Sequence, residues 1–149
     1  MNSPLSPFPT LHPLVVHAPV VLIPLAFILI LVAWIGRHRI LEWTAAAILL
    51  AGWIGALLAS EVFHPDTDAL TPAAQEALER HELLADATQG LALAAFVALL
   101  LQMPGVLARW RFPLRALAAA LCLAAVLSVA LAGHYGALLT HVHEVDVTE

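Results

Sequence analysis

The stretch LVVHAPVVLIPLAFILILVAWI, residues 14–35, runs for 22 residues without a charged side chain. A helix that crosses the hydrocarbon core of a bilayer needs about 20 mostly apolar residues, and this segment meets that length unaided. Three more runs of the same kind follow, Trp43–Phe63, Leu83–Met103 and Leu114–Leu139. Their alanine and leucine content, and lengths well beyond a membrane strand, favour helices over a barrel. The whole chain agrees, with 62% hydrophobic and only 11% charged residues, where soluble domains have about a quarter charged. The expected fold is all-α: one integral membrane four-helix bundle filling residues 1–149, with no second domain and no internal repeat. No nucleophile motif, phosphate loop or nucleic-acid-binding patch is visible.

Six arginines and no lysines orient the bundle. Arg37 and Arg39 lie in the first connection, and Arg109, Arg111 and Arg115 lie in or beside the third. Only Arg80 falls on the other side. Short cytoplasmic loops are rich in basic residues, so these two connections are expected to face the cytoplasm, with both termini and the Phe63–Glu82 connection outside. Of eleven acidic residues, Glu42 alone is on the arginine side. A bacterial inner membrane with periplasmic termini is the expected location. The first thirteen residues lack the basic segment of a secretory signal and are expected to lead into the first helix without cleavage.

Local signals fit this layout. Thr71-Pro72 resembles a helix start, with threonine as N-cap and proline at the first helical position. Pro104-Gly105 should stop the third helix and Pro113 help restart the fourth. Pro19 and Pro24 remove backbone donors inside the first span. The Gly52/Gly55/Ala59 and Ala116/Ala120/Ala124 sets offer small surfaces for close helix contact. The single cysteine, Cys122, falls mid-span and is expected to pack in the core.

With this topology, seven of the eight histidines gather at the outer side. His12 and His17 start the first span, His64 ends the second and His81 opens the third. His134, His141 and His143 lie at or past the end of the fourth, and only His38 is among the arginines. At about 1.5 Å per residue, His17 is about 5 Å inside its apolar run and His134 about 8 Å inside its own. Polar residues within spans usually face the bundle interior and mark function. Asp86 and Gln89 add polarity to the outer half of the third span, and a carboxylate can orient a ligating imidazole by accepting its second N–H. Imidazoles can ligate haem iron, zinc or copper, and a four-helix bundle can build a haem pocket between facing helices.

The segment His12-Pro13-Leu14-Val15-Val16-His17-Ala18-Pro19 resembles the opening motif, His-Pro-x-x-Val-His-Phe-Pro, of a family of small four-helix bacterial membrane proteins known as predicted membrane domains of unknown function. The resemblance runs from His12 to about Val147. It includes His81 and a closing Gly133-His134-Tyr135-Gly136-Ala137-Leu138-Leu139-Thr140-His141 segment. Ala18 replaces the common phenylalanine, and His-Tyr-Gly replaces a common Gly-Gly. Some relatives are joined to cytochrome c or Rieske-type modules, which implies redox work.

Three functions follow as expectations. The leading one is a b-type haem protein passing electrons between a quinol, or another membrane partner, and a periplasmic cytochrome or larger respiratory complex. It would be an electron-transfer or accessory subunit rather than a stand-alone enzyme, with no catalytic residue of its own. His17 and His81 are the expected ligands, His134 the alternative or third, and Asp86 the acceptor behind them. The second is a zinc or copper site drawing on His12, His17, His81, His134 and His141. The third is a cofactor-free structural subunit, alone or as an oligomer.

Overall fold

The computed structural model describes residues 12–62, 70–102 and 107–141, with side chains described at all of these except 12–16, 61, 62, 108, 140 and 141. Four helices form: α1 (His12–Gly36), α2 (Arg39–Val62), α3 (Pro72–Leu101) and α4 (Arg111–His141). A short 3₁₀ turn, Ala108–Trp110, precedes α4. Each helix is long and apolar enough to cross a membrane, so the four-helix architecture read from hydropathy holds.

The ends of the elements follow elementary capping chemistry. Thr71 is extended (φ −67°, ψ 155°), and its hydroxyl accepts from the Ala74 N–H at 3.3 Å, with Pro72 opening α3. At 30 residues, α3 runs about 45 Å, which exceeds the ~30 Å hydrocarbon core and carries its first turns beyond it. There Ala74 and Ala77 pack with Leu139 of α4. The fourth helix begins at Arg111, two residues before Pro113. Proline is tolerated there because N–H groups of a first turn have no intrahelical partner. Pro104-Gly105 lies outside the described residues. Pro19 and Pro24 both lie within continuous α1.

The helices pack chiefly as two hairpins, α1 with α2 and α3 with α4. The hairpins join through α1 against α4 and α2 against α3, so α1 stands diagonally opposite α3, and α2 opposite α4. Buried positions recur at helical spacing: Ile23, Ala26 and Ile30 of α1; Ala45, Ala46 and Leu49 of α2; Ala92, Ala95 and Leu99 of α3; Ala118, Cys122 and Ala125 of α4. Small residues dominate because lipid tails are as apolar as leucine, leaving close approach and dispersion to hold helices together. At Gly52 and Gly55 the two helices of the first hairpin approach closely; a Cβ on Gly55 would lie 3.1 Å from that of Ala18. On α4 the small surface is rotated from the expected one. Ala120 is exposed, while Ala118, Cys122 and Ala125 face the core. Cys122 is a buried free thiol. The large exposed side chains, such as Val21, Ile28 and Leu127, form the surface a bilayer would solvate.

Candidate functional site

Polar side chains concentrate at the two ends of the bundle. At the histidine end, His81 is half-buried on α3, and its Nδ1 lies 2.8 Å from the backbone carbonyl oxygen of Ala132 on α4. A carbonyl only accepts, so Nδ1 carries the proton and donates. In the neutral ring this leaves Nε2 with a free lone pair, the arrangement a ligating histidine adopts. Gly136 makes room for it: a Cβ there would sit 3.3 Å from both Cε1 and Nδ1 of His81. The acceptor behind His81 Nδ1 is thus a backbone carbonyl. Asp86 is exposed, five residues further along α3.

His134 lies on the same stretch of α4 that holds His81. It is exposed, and its ring stands edge-on to Tyr135 at 5.7 Å. His17 is exposed at the start of α1, beside the Ala18–Gly55 contact. The register between helices fixes relative depth. Cys122 Sγ lies 3.9 Å from the Ile23 carbonyl, which makes these two level. His17 is six residues outward of Ile23, whereas the residues holding His81, Ala132 and Gly136, are ten and fourteen outward of Cys122. His17 therefore lies on the order of 6–12 Å deeper than His81, not at the similar depth the sequence suggested. The backbone of His12, eleven residues outward of Ile23, falls at the level of His81 instead.

Among the described residues, no three His, Cys, Asp or Glu side chains converge as a metal-ion site. The side chains of His12 and His141, and the whole of His64 and His143, lie outside the described set. Gln89 is bonded to α2, its Nε2 donating to Ser60 Oγ at 2.9 Å. Ser128 Oγ of α4 and Thr88 Oγ1 of α3 both donate to the Leu84 carbonyl, at 2.9 and 2.7 Å.

At the opposite end, Glu42 of α2 is buried, only 5% exposed. Its carboxylate accepts from Arg115 Nη2 of α4, and Arg111 Nη2 stands 3.5 Å from its second oxygen. Arg115 Nε also donates to Oε1 of Gln102, the C-cap of α3, at 3.2 Å. Since α2 and α4 are diagonal, this network ties the bundle across its end. The lone carboxylate among arginines was the available signal in the sequence; its burial and its partners were not visible there.

These features stand within a recognisable family. A family model described as "Predicted membrane protein (DUF2231)" matches residues 8–149. No curated protein and no solved structure matches the chain. The match takes in all four helices and both polar ends, and the chain belongs to the DUF2231 family of predicted membrane proteins.

Proposed function

We propose that this protein is an electron-transfer subunit that would hold a b-type haem at its histidine end, with His81 as one of the residues that hold it. The observation that carries the reading is the hydrogen bond from His81 Nδ1 to the Ala132 carbonyl, which orients the ring and leaves Nε2 to bind iron. His12 is the second ligand in this reading, because its backbone stands level with His81 on the diagonally opposite helix. His134, level with His81 on α4, is its alternative. His17, deeper on α1, borders the site. Haem, when bound, would supply one-electron exchange, while the chain would supply ligands and a docking surface. The basic-loop rule puts the arginine end in the cytoplasm and the histidine end in the periplasm of a bacterial inner membrane. There the acidic outer segments suit a basic electron acceptor such as a soluble cytochrome, with a quinol or a larger membrane complex as donor.

The test is a reduced-minus-oxidised absorption spectrum of protein purified from haem-replete cells. A b-type spectrum is expected, lost in His81→Gly and restored by added imidazole, which enters the vacated space without remaking the chain. His12→Ala should change the spin state or remove the haem, and His38→Ala at the arginine end should leave the spectrum unchanged. Folded wild-type protein that stays colourless under these conditions overturns the proposal.

A further inference from the structure

The arginine end carries a site that the haem reading does not use. A cleft of about 550 Å³ opens there, lined by Arg37, Arg39, Arg109, Arg111, Phe112 and Arg115. Five arginines thus line one concavity, and Glu42 behind it is paired to two of them. The formal excess is four positive charges. Two helix N-termini add to it, because Arg39 is the first residue of α2 and Arg111 the first of α4. A helix N-terminus carries about half a positive charge, so cations there are unfavourable and an anion is favoured.

A further feature favours an anion there. Arg111 Nε is buried and has no hydrogen-bond partner among the described residues, although a guanidinium N–H removed from solvent ordinarily finds an acceptor. Orientation in a membrane by the basic-loop bias needs arginines in the connections. It does not need them to converge on one cleft.

We infer that this cleft binds a phosphate-bearing anion. Arginine forks match phosphate oxygens two at a time, and basic pockets between membrane helices take up acidic headgroups. The same chemistry is offered by the headgroup of an acidic phospholipid or by a soluble phosphate compound. The headgroup is favoured by the surroundings. Trp43, Trp110 and Phe112 are exposed around the cleft, Trp34 stacks edge-on to Phe112 at 5.8 Å, and such aromatic rings mark the headgroup level of a bilayer.

The test titrates the full chain in neutral detergent with phosphatidylglycerol, with inorganic pyrophosphate, and with phosphatidylcholine as the uncharged control, following thermal stability at low salt. The comparison variant is Arg37→Gln/Arg39→Gln/Arg109→Gln, which leaves both partners of Glu42 in place. The wild type is expected to be stabilised by at least one of the two anions and not by phosphatidylcholine. In the triple variant the affinity should fall on the order of a hundredfold, since each basic residue at an anionic surface is worth about fivefold. A response to phosphatidylglycerol alone assigns the headgroup, to pyrophosphate alone a soluble ligand, and to both the phosphate group itself. No response in the wild type to either anion, or equal affinity in the folded triple variant, overturns the inference.

Discussion

The two ends of this bundle solve the problem of polar groups in a membrane protein in opposite ways. At the arginine end, charge is buried and paired: Glu42 and Arg115 lie mostly out of solvent and bridge diagonal helices, with Gln102 as third member. At the histidine end, three links between helices among the described residues are neutral, from His81 to the Ala132 carbonyl, from Ser128 to the Leu84 carbonyl and from Gln89 to Ser60. All three involve α3. A buried ion pair fixes its partners strongly, because losing either leaves a charge that nothing neutralises. Neutral bonds to backbone carbonyls hold a ring in place at low cost and leave its chemistry free. The first arrangement suits a clamp, and the second suits a site.

The comparison predicts its largest effect at Glu42. Glu42→Ala strands Arg115 in a mostly buried position and should cost about 3–5 kcal/mol, read as a lower unfolding temperature in detergent. The ion pair at the histidine end, Arg80 with Glu76 at 3.8 Å, is exposed on both sides, so Glu76→Ala should change stability by less than about 0.5 kcal/mol. Equal effects from the two substitutions would erase the distinction between the ends.

Next in size is Gly136. Valine there places side-chain atoms where the His81 ring now lies, since a Cβ alone already comes within 3.3 Å of it. Overpacking of this kind costs about 1–3 kcal/mol, and it should displace His81 from Ala132. Gly136→Val is therefore expected to lower thermal stability and to remove any haem absorbance together. Gly133, where an added Cβ would meet nothing within 4 Å, is the control, and Gly133→Ala should retain both. Stability loss with intact cofactor would separate the hydrogen bond from the proposed ligand role.

A smaller effect is expected where α3 starts. Thr71→Ala removes the hydroxyl that accepts from the Ala74 N–H and should cost about 1 kcal/mol, with Thr71→Ser restoring most of it. Because this cap lies about three turns before His81, the loss should appear as faster amide exchange in the first turns of α3, with the arginine end unchanged.

How far these ends were legible in the sequence depends on the range of the interactions. The four helices were, because twenty apolar residues in a row carry the signal locally, and the Thr71-Pro72 cap is contained in a few adjacent residues. The clamp was not: Glu42 and Arg115 are 73 residues apart and meet only because helix packing sets which faces converge. His17, His81 and His134 were legible as a group by end but not by depth. Counting from the edge of an apolar run puts His17 and His81 near each other, whereas the Ile23–Cys122 contact sets the register of α1 on α4, and the Ala132 carbonyl that holds His81 lies further outward on α4. The acceptor of His81 was invisible for a simpler reason. It is a backbone carbonyl, and every residue has one. Gly136 was in view as part of a motif, but its use as space for a ring on another helix appears only in three dimensions.

The finest test of the contrast lies in the link from Gln89 to Ser60. Both groups are half-buried within the apolar part of the bundle, and the bond at 2.9 Å joins α3 to α2. In a membrane the unfolded reference also finds partners for polar side chains, so an interhelical hydrogen bond is worth about 0.6 kcal/mol on average. Ser60 keeps a second bond, from its hydroxyl to the Leu57 carbonyl at 3.0 Å, which further softens the loss of Gln89. A double-mutant cycle of Gln89→Leu and Ser60→Ala should therefore give a coupling near 0.6 kcal/mol. The corresponding cycle of Arg115→Met and Glu42→Leu should give several times more, because each single change there leaves a charge unpaired. A coupling at Gln89–Ser60 as large as that at Arg115–Glu42 would mean that the histidine end is clamped as firmly as the arginine end, and a ring held only by neutral bonds would no longer distinguish it.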